Sequence, residues 1–178
     1  MRNQKINALL GLFVLAICFA GLITVGWFLQ TPNAFKKISA LRMGAEYLGT
    51  DGVLLQTKRN NCGPTALKMI FDYYNIPTSL DEIETNVGLT EKGTSMLALK
   101  KMAELKGLNA EGWRLTLEDF LTKQFPMLLF VHNDHYIVAD SVRNGEIFIR
   151  DPALGRLRMN KKTLPSIWNG ETLIFKKK

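Results

Sequence analysis

From Ile6 to Leu29 the chain carries no charged residue, and the next charge after Lys5 is Lys36. Leu, Ile, Val, Phe, Ala and Gly make up most of this run. About 20 such residues are enough to cross the hydrocarbon of a bilayer as a helix, whereas a cleavable export signal has an apolar core of roughly 7–15 and a small-residue exit. No convincing small-x-small site follows. Residues 6–29 are therefore expected to form one transmembrane helix in contact with lipid, behind a short N-terminal tail, 1–5. Cys18 lies within this span after the bulky Ile17, where a lipidation signal needs a small residue, so it reads as a buried apolar thiol. Arg2, Lys5 and the terminal amine nearly balance Lys36, Lys37 and Arg42 across the span. A short tail, one span and a long C-terminal part most simply make a signal anchor. The expected arrangement is a single-pass protein of a bacterial cell membrane with its domain outside the cytoplasm.

The remainder has the composition of a folded domain. Of 178 residues, 47% are hydrophobic and 22% charged, which excludes disordered and fibrous chains and leaves room for one core. The net charge of +7 comes partly from the Lys176-Lys177-Lys178 tail. Basic residues elsewhere alternate with acidic ones instead of forming a stripe, so no nucleic-acid partner is expected. The cysteines are Cys18 and Cys62. A thiol in the bilayer cannot meet one in a water-exposed domain, which makes Cys62 a free thiol.

Residues 30–48 read as a juxtamembrane linker in which Pro32 ends the span, and residues 49–178 as the domain. A helix from Cys62 to Tyr74 is opened by Asn60 and Asn61 as capping candidates and tolerates Pro64 in its first turn. Its buried stripe is expected to be Ala66, Met69, Ile70 and Tyr73. Ser79-Leu80-Asp81-Glu82 has the form of a capping box, and Ser95 to Lys106 is an amphipathic helix stopped by Gly107. After Gly107 the pattern changes to short apolar runs: 108–114, 126–131, 135–142, 146–150, 157–160 and 172–175. Short helices are expected near 116–121 and 164–168. Helices first and a mainly antiparallel sheet afterwards make an α+β fold.

Chemistry concentrates around Cys62. At a helix N-terminus, unpaired N–H groups and the macrodipole favour thiolate over thiol. Asn61 and Gly63 flank it as backbone that a substrate would approach, and Gln56 brings an amide donor within range of a developing oxyanion. His135 opens one strand and Asp151 ends the next, so a base and its orienter meet if the hairpin register permits. A two-residue Asn144-Gly145 loop alone would set Asp151 opposite Val138, on the wrong face for His135. A three-residue loop or an equivalent bulge would set it opposite Ile137, on the face His135 shares. His132 is the rival base, and spacing does not choose between the two histidines. Two histidines are too few for a zinc site without further ligands, so no metal is expected.

The ordered set Gln56, Asn61-Cys62-Gly63-Pro64-Thr65-Ala66-Leu67, Gly93-Thr94-Ser95, Asp134-His135-Tyr136-Ile137-Val138, Ile149-Arg150-Asp151-Pro152, Gly155, Trp168 and Gly170 resembles the papain-like bacteriocin-processing cysteine peptidases, which cut leader peptides after a double glycine. The resemblance runs from about Leu55 to Phe175. It implies a papain-like fold with Cys62 as nucleophile, His135 as general base and acid, Asp151 as orienter of the imidazole and Gln56 in the oxyanion hole. It further implies a leader-bearing peptide or protein as substrate, export or assembly machinery as a partner, and no cofactor. Two departures stand out. Asn61 occupies the position where members commonly have Asp, and here a single span precedes the peptidase region. No G-x-x-x-x-G-K-[ST] is present, since Gly88 to Gly93 is followed by Thr94 without the phosphate-reaching lysine. Two other function classes fit the same residues: a catalytically idle, membrane-tethered peptide-binding module, and a papain-like acyltransferase.

Overall fold

The computed structural model describes residues 2–177, with side chains from Leu10 onward. Met1 and Lys178, and with them the ends of the two expected tails, lie outside the described residues. The chain divides into two compact units, Met1–Ile38 and Ser39–Lys178. In the first, helix α1 (Arg2–Leu29) begins within the stretch read as a tail. Its segment Leu10–Leu29 is long and apolar enough to cross a membrane, with a mean hydropathy of 2.5. Cys18 is exposed on this helix, not buried within protein.

The second unit is built on a seven-stranded antiparallel sheet: β1 (Ala45–Gly49), β2 (Leu108–Arg114), β3 (Met127–Val131), β4 (His135–Arg143), β5 (Glu146–Asp151), β6 (Gly155–Asn160) and β7 (Trp168–Lys177), in the order β1-β6-β5-β4-β3-β7-β2. Helices α3 (Cys62–Tyr73), α4 (Leu80–Asn86) and α5 (Met96–Leu105) cover one face. Strand alternation divides the core accordingly. Leu128, Val138 and Leu173 pack beneath α3 with Ala66, Leu67 and Ile70. Leu129, Ile137, Ile149 and Leu157 face the other way, against Ala40, Phe120, Leu164 and Trp168. The α+β architecture expected from the pattern is the one observed.

Three local differences carry a physical reason. First, the stretch read as a plain linker contains α2 (Ala34–Arg42) and β1. β1 pairs with β6 and closes the sheet edge, so the folded unit starts ten residues earlier than Gly49, at Ser39. Second, Tyr73 is 55% exposed and Tyr74 is buried instead. Its hydroxyl donates to the carbonyl of Phe175 at 2.7 Å, a partner 101 residues away that helical periodicity does not see. Third, residues 164–166 form a single 3-10 turn, and Trp168 already belongs to β7. The capping readings fare better: Ser79 accepts from the N–H of Glu82 and Ser95 from that of Ala98, while Gly107 takes the positive φ that ends α5.

The hairpin joining β4 to β5 settles the register question by a bulge and not by a longer loop. Its loop is the tight one: Asn144 and Gly145 both have positive φ, and Arg143 pairs with Glu146. One residue is gained further along, where Asp140 bulges out between Ala139 and Ser141. Val138 therefore pairs with Arg150, and the same register sets Asp151 opposite Ile137. The bulge is held by charge. Both carboxylate oxygens of Asp140 accept from Nε of Arg150, at 2.8 and 2.9 Å, and Arg150 is the residue just before Asp151.

Deleting Asp140 restores the uninterrupted register and moves His135 and Asp151 to opposite faces. NMR titration of the His135 ring should then fall from about 10 towards the free-imidazole value of about 6.5, while far-UV circular dichroism retains the fold. An unchanged titration would refute the role of the bulge.

Candidate active site

Cys62 is the first residue of α3, where the N–H groups of the opening turn lack intrahelical acceptors. It is 7% exposed, and that small opening faces two clefts. Burial pushes its thiol up, but the imidazole of His135 and the backbone N–H groups of Tyr136 and Gly63 outweigh this, leaving it below the ordinary value of 9.0. His135 shows the reverse balance. Burial lowers its ring, while the hydrogen bond to Asp151 and the adjacent Cys62 sulfur together raise it to about 10. Both shifts favour the same charge state, a thiolate beside an imidazolium.

His135 Nε2 lies 2.9 Å from Oδ1 of Asp151, so Nδ1 is the nitrogen left for the sulfur. Asp151 is 1% exposed. Its Oδ1 also accepts from the N–H groups of Ala153 at 2.7 Å and Leu154 at 3.1 Å, which fixes the carboxylate by the turn that follows β5. Among the described residues His132 has no comparable side-chain partner. It sits with positive φ in the turn His132-Asn133-Asp134, exposed, its backbone N–H given to the carbonyl of Ile167. The ambiguity between the two histidines is resolved by place: one is at the strand start and the other in the turn.

Gln56 is tied into the same corner by a hydrogen bond from its backbone N–H to the carbonyl of Pro152. Its side-chain Nε2 donates to the carbonyl of Lys58 at 2.9 Å and, with longer geometry, to that of Arg59 at 3.4 Å. Oε1 is buried with no protein partner.

Asn61 and Gly63 take positions different from those expected of substrate contacts. Asn61 is completely buried, and it caps α3 with backbone only. Its Oδ1 accepts from the N–H of Lys58 at 3.1 Å and its Nδ2 donates to Glu84 Oε1 at 2.7 Å. Glu84, on α4, also binds the ammonium of Lys58. Burial raises the Glu84 carboxyl, but Lys58 and Asn61 together bring it below its ordinary value. Asn61 thus links the Glu84 carboxylate of α4 to the loop before Cys62. Sequence reading missed Glu84, because nothing local in 79–86 distinguishes a carboxylate turned inward. Gly63 is a packing residue: a Cβ there would stand 2.8 Å from Cγ2 of Thr94 and 3.1 Å from Cδ2 of Tyr136.

Among the described residues no group of His, Cys, Asp and Glu is arranged to hold a metal ion. The chemistry available is that of a thiolate, an acid–base imidazole and its carboxylate orienter.

Residues 51–178 match the Peptidase C39 family. The chain belongs to that family. The C39 region shares 27% identity and a TM-score of 0.69 with the crystal structure of a double glycine motif protease from an AMS/PCAT transporter in complex with the leader peptide, covering 71% of this chain and 91% of that one. An uncharacterised protein of Methanothermobacter marburgensis is 29% identical over 131 residues, covering 74% of this chain and 92% of its own length. The lactococcin-G-processing and transport ATP-binding protein LagD of Lactococcus lactis is 28% identical over 132 residues. There the chain spans about a fifth of the relative, 19% of its length. The α+β fold with an antiparallel sheet is that of the C39 peptidase domains.

The packing at Gly63 gives a direct test. Gly63→Ala should destabilise the domain by about 1–3 kcal/mol through overpacking, read as a lowered denaturant midpoint. Thr94→Ser, which removes the clashing methyl, should recover part of the loss in the double variant.

Proposed function

We propose that this C39 protein is a cysteine endopeptidase, anchored in a membrane by α1, that cuts leader-bearing peptides after a Gly-Gly pair. The observation that carries this reading is the placement of Cys62, His135 and Asp151 on one cleft, with the imidazole bonded to Asp151 and the electrostatics of thiol and ring favouring the ion pair. In it, the Cys62 thiolate attacks the peptide carbonyl and forms a thioester, while the His135 imidazolium gives its proton to the departing amine. The imidazole then takes a proton from water, the resulting hydroxide equivalent cleaves the thioester, and the sulfur leaves as thiolate. Asp151 keeps the ring turned with Nδ1 to the sulfur. The oxyanion is met by the Cys62 N–H and by the Gln56 amide hydrogen that makes only the 3.4 Å contact to Arg59. The similarity to a double glycine motif protease, whose crystal structure holds its leader peptide, supports the substrate class. The domain's place outside the cytoplasm, part of the same reading, is tested by protease accessibility in intact cells.

The full chain in detergent should cleave a Gly-Gly leader peptide, and iodoacetamide or Cys62→Ala should abolish the cut. Binding without turnover, a ligated product, or cleavage by Cys62→Ala would each overturn the reading. Gln56→Ala should lower kcat by about 10²–10³ through loss of one oxyanion donor. The pH profile follows from the shifts. The ion pair forms as pH rises through the depressed Cys62 value and is lost as His135 deprotonates near 10. Activity should therefore be present well below pH 9 and decline near pH 10, as measured by kcat/KM.

A further inference from the structure

The two clefts that meet at Cys62 are chemically distinct. One, of about 510 Å³, reaches from the sulfur past Gly93, Thr94, Phe130 and Tyr136 and does not touch His135. The other, of about 390 Å³, contains Cys62, His135 and Asp151 together with Met43, Ala153 and Leu154, with Arg59, His132 and Asp134 at its rim. The imidazole must protonate the departing amine, so the leaving half of a peptide lies on the His135 side of the sulfur and the acyl half on the other.

Met43 and Leu154 are both half-buried and packed against the core beneath β4 and β5, which makes them a fixed apolar surface. Arg59, His132 and Asp134 are exposed. Met43 lies before the residues that match the family, 51–178. It is placed at the cleft by the pairing of β1 with β6, which starts two residues later at Ala45 and Met159.

The geometry points to a subsite for the residue that follows the scissile bond, with Met43 and Leu154 as the surface that selects an apolar side chain there. The assignment rests on the peptidase reading given above. The segment between the apolar helix and the family domain thereby becomes part of the specificity apparatus. Among the described residues its contact to the cleft is Met43, unbranched and polarisable, which adapts to Leu, Met or Val in the substrate. An acidic side chain seated on Met43 and Leu154 would have to reach the exposed rim for a cationic partner.

The test uses the full chain in detergent and leader peptides ending in Gly-Gly, followed by Leu, Met, Ala or Asp and otherwise identical. A Gly-Gly methyl ester of the same leader reports acyl-enzyme chemistry in the wild-type protein without any following residue. Wild-type kcat/KM should favour Leu or Met over Asp by about 10-fold or more, and Met43→Ala should compress that ratio to within about 3-fold. Met43→Leu should keep the preference, which separates loss of the contact from loss of the fold, and Met43→Lys should raise Asp relative to Leu. Equal wild-type rates on all peptides, or a ratio unchanged in Met43→Ala, would overturn the subsite while leaving the peptidase reading in place. Absence of wild-type turnover on both the ester and the peptides would overturn that reading, and the subsite with it.

Discussion

The hydrogen bond between His135 and Asp151 depends on one extra residue in a strand. Side chains alternate across a sheet, so a hairpin with a two-residue loop and no irregularity would carry the imidazole and the carboxylate on opposite faces. Asp140 breaks the alternation once. Its carboxylate closes on Arg150, so the irregularity is anchored on the strand that delivers Asp151. A tight Asn-Gly turn and the His135–Asp151 diagonal are thereby compatible across a separation of 16 residues.

The electrostatics of the site follow from competition between burial and partners. Removing Cys62 and His135 from water favours their neutral forms; Cys62 is returned to the charged form by His135 and by backbone N–H groups, and His135 by Asp151 and then by Cys62. The backbone N–H groups of Gly63 and Tyr136 point at the sulfur, while Asp151 is itself held by the amides of Ala153 and Leu154. The loop entering α3 is fixed in a similar manner. Asn61 is wedged between Lys58 and the buried Glu84, so the residue before Cys62 is immobilised by a carboxylate from a separate helix.

Much of this was legible in the residues. Strand and helix positions followed from periods of two and 3.6 and from Ser79, Ser95 and Gly107 at the helix ends. The pairing of Cys62 with His135 and Asp151 was implied by the resemblance, and the need for a looser loop or an equivalent bulge followed from strand parity alone. Other features were hidden because their cause is remote. Tyr74 is buried by a carbonyl 101 residues away. β1 carries too short and mixed a pattern to announce a strand, and it becomes one because β6 offers an open edge. Glu84 looks like any acidic residue of a surface helix until Asn61 and Lys58 are brought to it.

By itself, the sequence determined the apolar N-terminal helix, the α+β order and the thiol at a helix start, since these rest on local composition and spacing. Only the tertiary structure decided where the extra strand residue sits, that Asn61 is held in a buried hydrogen-bond network, and that Gly63 serves packing. Those outcomes depend on contacts between segments tens of residues apart, and hydrogen-bond register and close packing do not act until the chain has folded back upon itself.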